Sequence, residues 1–83
     1  MWTVYILECA DKSLYTGIAL DVERRLKEHA SGKGSRYLRG KTPLRVVYTE
    51  RKATKSLALK REAEIKSWSR QKKLYTIEKR TIH

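Results

Sequence analysis

The chain opens with two runs rich in β-branched and aromatic residues, 2–9 (WTVYILEC) and 13–18 (SLYTGI), separated by the short polar break ADK. This pattern predicts a β-hairpin. Loop length decides which side chains share a face, because a slip of one residue reverses every one of them. With a three-residue loop, Ala10 to Lys12, Cys9 faces Ser13, Leu7 faces Tyr15 and Tyr5 faces Gly17. Tyr5 and Tyr15 then become diagonal neighbours on one face, about 7–8 Å apart at the backbone. A two-residue loop puts them on opposite faces. The three-residue loop usually wants glycine at its last position, for a left-handed conformation, and here that position is Lys12.

Asp21 is a good N-cap for a helix from Val22 to about Ala30, with Gly32 available to end it. Its inward stripe is Val22, Leu26 and Ala30, so Arg25 and His29 border the buried face. Residues 32–42 (GKGSRYLRGKT) hold three glycines and four basic residues and read as a loop whose backbone can approach a phosphate closely. After Pro43 a third strand is expected over Leu44 to Thr49, with Leu44, Val46 and Tyr48 on one side. Residues 54–73 contain neither glycine nor proline and form the longest helical stretch, capped by Thr54 or Ser56. Its stripe is Ala58, Glu62, Ile65 and Trp68, so a carboxylate occupies an inward position. The tail, LYTIEKRTIH, is expected as an edge strand or an extended arm. The class is therefore α+β, a small three-stranded antiparallel sheet flanked by helices in the order β-β-α-loop-β-α.

At 83 residues the chain has room for one domain, 1–83, with one small core. The one cysteine, Cys9, sits in an apolar run as a buried thiol, which suits a reducing, intracellular, cytoplasmic setting. No apolar run approaches the roughly 20 residues of a membrane span, and the start lacks the pattern of a signal peptide. Charge changes the picture most. The formal net charge is +11, and residues 1–35 balance five basic side chains against five acidic ones, so all of the excess lies from 36 onward. A field polarised in this way attracts a polyanion such as nucleic acid. The plainer reading is a solvated basic surface. An anionic membrane would usually be met by a clearly amphipathic basic helix with large apolar anchors.

Taken singly, Tyr5 and Tyr15 read as packing residues, Arg25 as a surface side chain, His29 as a helix-dipole partner and Glu62 as a partner of Lys66. Their order and spacing say more. Tyr5 within Thr3-Val4-Tyr5, Tyr15-Thr16-Gly17 ten residues later, DVERRLKEH (21–29) and LKREAEIK (59–66) resemble the GIY-YIG endonuclease superfamily, most closely its small stand-alone members, over essentially the whole chain. The first triplet keeps only its tyrosine and the second keeps both ends. The late asparagine used by many family nucleases has no counterpart, since the chain contains no asparagine.

The resemblance implies a divalent-metal-dependent endonuclease that hydrolyses DNA phosphodiester bonds, as family members in repair or recombination do. It assigns Tyr5 as general base or holder of the attacking water, Tyr15 as a hydrogen-bonding partner of phosphate or water, Arg25 as the clamp on nonbridging oxygens and His29 as a positioning group. Glu62 is the implied ligand of one Mg²⁺ or Mn²⁺ ion, and Gly17 lets the backbone pass close to substrate. A free phenol titrates near pH 10, so Tyr5 serves as a base only if a cation lowers that value. Nucleic-acid contacts are expected from Arg36, Tyr37, Arg39, Lys41, Lys60, Arg61 and Lys66, backed by Arg70, Lys72 and Lys73. The alternative readings are a catalytically weak or inactive nucleic-acid-binding module on the same scaffold and an adaptor for a protein partner.

Overall fold

A computed structural model of the chain describes residues 1–30 and 43–81, the side chains of 29, 30, 43, 44, 80 and 81 excepted. The elements run β1 (Trp2–Cys9), β2 (Leu14–Ala19), α1 (Val22–Ala30), β3 (Pro43–Lys52), α2 (Lys55–Lys66) and α3 (Arg70–Thr81). The sheet is antiparallel with strand order β2-β1-β3, so the most apolar strand is central and covered on both faces.

The hairpin takes the three-residue loop. Tyr5 pairs with Gly17 and Leu7 with Tyr15, while the Cys9 N–H donates to the Ser13 carbonyl at 2.9 Å. Lys12 adopts the left-handed conformation, φ 72°, in place of the glycine usual there. Two contacts brace this turn: Asp11 Oδ1 accepts from the Ser13 N–H, and Arg70 donates through Nη2 to the Lys12 carbonyl at 2.8 Å.

Alternation along β1 divides the core in two. Val4 and Ile6 leave one face and pack with Tyr48, Ala58 and Ile65, with Trp68 and Ile77 at the margin. Tyr5, Leu7 and Cys9 leave the other face and pack with Ala19, Val22, Leu26 and Val46. Helix α1 therefore covers the tyrosine face, and α2 and α3 cover the opposite one. Burying each large side chain fully contributes roughly 1.5–3 kcal/mol.

Four expectations need correction. Val46 and Tyr48 do not share a side, because the β1–β3 register shifts between Ile6 and Leu7, from Ile6↔Tyr48 to Leu7↔Val46. Val47 is the extra residue of that bulge, and the bulge re-aims what precedes it. The strand is also longer than Leu44 to Thr49. The stretch 54–73 is not one helix. Thr54 caps α2 by accepting from the Leu57 N–H at 3.2 Å, and the helix ends at Ser67, whose Oγ donates to the Glu64 carbonyl at 2.6 Å. The Trp68 N–H reaches only the Ile65 carbonyl, tightening the last turn, and Ser69 starts α3 by accepting from the Lys72 N–H at 3.1 Å. The tail is thus helical through Thr81 and not a strand or arm, since the Ser69 cap and the packing of Ile77 outweigh its β-branched content. Gly32, the loop 32–42 and residues 82–83 lie outside the described residues.

Candidate active site

Register brings the tyrosines together. Their ring centroids are 6.4 Å apart with the planes tilted by 45°. Tyr5 is almost wholly buried and Tyr15 half-buried, so the pair forms a phenolic patch at the β2 edge of the sheet. Glycine at position 17 follows from this geometry. A Cβ there would lie 2.7 Å from Tyr5 Oη, 2.9 Å from Tyr5 Cζ and 3.1 Å from Tyr15 Cε1. The Tyr5 phenol crosses the backbone of Gly17, which gives that glycine a packing role besides the backbone approach expected from the sequence.

Helix α1 begins directly after β2, with Asp21 accepting through Oδ1 from the Arg24 N–H and through its carbonyl from the Arg25 N–H, each at 3.1 Å. This fixes Arg25 on the first turn. Its side chain is 43% exposed and lies 3.7 Å from Glu28 Oε2, while Arg24 Nε is 3.6 Å from Glu28 Oε1. Glu62 sits on the sheet-facing stripe of α2 between Ala58 and Ile65; its side chain is 19% exposed and its Oε2 is 3.5 Å from Lys66 Nζ.

These groups meet in the field at Tyr5. Burial pushes its hydroxyl well above the usual phenol range near 10, and the neighbouring Tyr15, Glu62 and Glu28 push it the same way, while the Arg25 guanidinium pulls it down. The sum is upward. Tyr5 at neutral pH is a neutral phenol, able to donate and accept hydrogen bonds but not poised to remove a proton.

Tyr5, Tyr15 and Gly17 are thus in contact, and the charges of Arg25 and Glu62 act on the Tyr5 hydroxyl. The side chain of His29, together with Arg36, Tyr37, Arg39 and Lys41, lies outside the described residues. Lys60 is exposed on α2, and Lys66 shields Glu62. Arg61 is committed elsewhere: its Nε donates to Glu50 Oε1 at 2.8 Å, its Nη1 to Glu64 Oε1, and it stacks over Trp68, 5.0 Å from the ring centroid. Sequence reasoning missed Glu28, whose three- and four-residue spacing from Arg25 and Arg24 was its available signal. It also missed Thr16, whose Oγ1 is buried on the α2 face with no hydrogen-bond partner among the described residues.

A β2-β1-β3 antiparallel sheet carrying paired tyrosines over a glycine accords with the GIY-YIG class of catalytic domains that the motifs resemble. The model of the GIY-YIG catalytic domain matches residues 1–76. The chain belongs to the GIY-YIG family, among its small UPF0213 proteins. It is 54% identical over 78 residues to the UPF0213 protein of Haloquadratum walsbyi, covering 94% of this chain and 88% of that one. Identity to the UPF0213 protein of Staphylococcus aureus (strain Mu3) is 52% over 77 residues, covering 93% and 94%. The solution NMR structure of a UPF0213 protein from Bacillus halodurans is similar at a TM-score of 0.59 and 49% identity, covering 94% of this chain and 84% of that chain. Family membership implies nuclease-type activity on nucleic acid, and GIY-YIG nucleases generally depend on a divalent metal ion. Among the described residues, no helix is long and apolar enough to cross a membrane.

Proposed function

We propose that the protein is a DNA endonuclease that hydrolyses phosphodiester bonds with the help of one divalent ion, Mg²⁺ or Mn²⁺. The observation that carries this reading is the Tyr5–Tyr15 pair set over Gly17, with Arg25 and Glu62 near enough for their charges to act on the Tyr5 phenol. Glu62 would hold the ion. Its carboxylate is largely sheltered, and among the described residues no group of three or more His, Cys, Asp or Glu side chains could hold a metal. That donor set suits a hard ion that keeps most of its water and takes phosphate oxygens as further ligands. Bound there, such an ion would supply positive charge to a phosphate undergoing hydrolysis.

The side chains do the rest. Arg25 clamps nonbridging oxygens with its planar fork, and its exposure leaves it reachable by substrate. Tyr5, being neutral, orients the attacking water as a hydrogen-bond acceptor, and Tyr15 donates to the phosphate. His29 positions the phosphate or the water. The water oxygen forms the new bond to phosphorus as the bond from phosphorus to the leaving strand's oxygen breaks; the water gives up one proton to the surrounding solvent and the leaving oxygen takes one up from it. Lys60, with Arg36, Tyr37, Arg39 and Lys41, adds sequence-independent backbone contacts. A cytoplasmic role in repair or recombination, helped by a targeting partner, accords with this chemistry.

The second reading, a binding module with little catalysis, is favoured by the upward displacement of Tyr5. Incubation with supercoiled, single-stranded and branched DNA, in Mg²⁺ and in EDTA, separates the two. Cleavage that disappears in EDTA and in Glu62→Gln supports the nuclease. Salt-sensitive binding with no cleavage supports the module.

A further inference from the structure

We infer that the hollow between the start of β1 and α1 is a subsite for one unpaired nucleobase next to the scissile phosphate. The inference rests on the reading that Arg25 clamps that phosphate. The hollow has a volume of about 290 Å³ and is lined by Trp2, Ala19, Leu20, Arg24, Arg25 and Glu28, with the Asp21 cap at its rim. This is near the lower end of the range of ligand pockets, about 300–1,000 Å³, and suits one nucleoside, not a length of duplex.

Three features point to a base. First, the walls are mixed. Leu20 is 65% exposed, although it follows a strand with a well-covered face, and Trp2, whose ring also packs against the Val4–Ile6 core, lines the hollow beside it. An apolar floor of that kind takes the flat face of a heterocycle. Second, the charges balance. Arg24 and Arg25 face Asp21 and Glu28, and Glu28 pairs with both arginines at 3.6 and 3.7 Å. A neutral hollow is a poor trap for a bare phosphate, yet its carboxylates can accept from the N–H groups of a base edge. Third, Arg25 and Glu28 also act on Tyr5, so an occupant would adjoin the proposed reacting phosphate.

Lys55 Nζ lies 5.3 Å from the Trp2 ring centroid. An exposed cation–π contact is weaker than stacking of a base on an aromatic ring, so this ammonium yields to the base and turns to the phosphate chain. A base enters the hollow only when it is out of its stack, which costs least where it is already unpaired. The preferred substrates are therefore single strands, flaps and mismatched junctions, not intact duplex.

The test uses the full chain labelled with 5-fluorotryptophan, read by fluorine NMR in EDTA so that no cleavage occurs. Trp2 is assigned from its lost resonance in Trp2→Phe. A short single-stranded oligodeoxynucleotide is expected to shift the Trp2 resonance, and the same sequence as a blunt duplex is not. Leu20→Glu, at an exposed position, is expected to weaken single-strand binding about tenfold and to leave duplex binding unchanged. Equal shifts with both DNAs, no shift at saturation, or undiminished binding by Leu20→Glu overturns the subsite. Cleavage assays on the same protein keep the two readings apart. A single-strand-specific shift without cleavage in Mg²⁺ retains the subsite and removes the nuclease; cleavage without the shift does the reverse.

Discussion

Glu50 and Tyr5 are both sheltered titratable groups, one on each face of the same small sheet, and they are displaced for opposite reasons. Burial raises the Glu50 carboxyl, but hydrogen bonds from Tyr48, Lys52 and Arg61, together with the Arg61 charge, outweigh it and bring its pKa down to about 2. Tyr48 Oη lies 2.6 Å from Glu50 Oε2, and Lys52 Nζ and Arg61 Nε lie 2.9 and 2.8 Å from Oε1. At Tyr5, on the other face, burial is reinforced by Tyr15, by Glu62 of α2 and by Glu28 and opposed by Arg25, so the hydroxyl stays displaced upward. One face satisfies its charge and acts as a brace. The other gathers charge around a phenol that a cation and a phosphate would rebalance.

If this contrast is functional, substitutions on the two faces separate rate from stability. Arg25→Ala and Glu62→Gln are expected to lower the cleavage rate about a hundredfold or more, the cost of losing one preorganised charge. Neither should change unfolding free energy by more than about 0.5 kcal/mol, since Arg25 is 43% exposed and Glu62 keeps an isosteric amide. Parallel single-turnover cleavage and urea denaturation measure both. A large stability loss with little change in rate would assign these residues to the brace.

The brace itself gives the converse result. Glu50→Gln is expected to cost about 2–3 kcal/mol at pH 7 with cleavage retained. The sign follows from the displacement: the folded pKa, about 2, is below the unfolded value of 4.5, so the contribution is present above about 4.5 and is lost as pH falls towards 2. Acid titration of the melting temperature should show that loss in the parent and a flatter curve in Glu50→Gln.

Gly17→Ala probes the tyrosine face more gently. Its Cβ would meet the Tyr5 phenol at 2.7 and 2.9 Å, and overpacking of this kind costs about 1–3 kcal/mol. Because the nearest atom is the hydroxyl oxygen itself, Tyr5→Phe in the same chain should return part of the loss, a coupling that a double-mutant cycle reads directly.

How far these faces could be read from the chain depends on what each rests on. Local chemistry was legible. The three-residue loop and the tyrosine spacing gave the hairpin register, Asp21 gave the start of α1, and the motif residues gave the family. The bulge at Val47 was not, because apolar residues at 44, 46 and 48 look the same with or without an extra residue. Nor was the break at Ser67–Ser69, where Trp68 continues the α2 stripe and only the capping ability of two serines hints at a stop. Arg61 read as a phosphate contact because its partner Glu50 lies eleven residues away on another element. The direction of the Tyr5 displacement depends on burial and on charges from three elements, which no spacing encodes.

The smallest expected effects sharpen the comparison most, because they can be matched. Thr54 and Ser69 cap successive helices by equivalent bonds, 3.2 Å to the Leu57 N–H and 3.1 Å to the Lys72 N–H. Replacing either with alanine is expected to cost about 1 kcal/mol, or roughly 4–8 °C in melting temperature for a chain of this size. Their consequences for cleavage should differ. Helix α2 carries Glu62, and loosening its first turn lets that carboxylate drift relative to Tyr5, so Thr54→Ala should lower the rate several-fold. Helix α3 lies against the brace through Ile77 and reaches the hairpin turn through Arg70, so Ser69→Ala should leave the rate where it was. Equal rate losses in the two variants would mean that the braced face and the phenolic face respond as one unit.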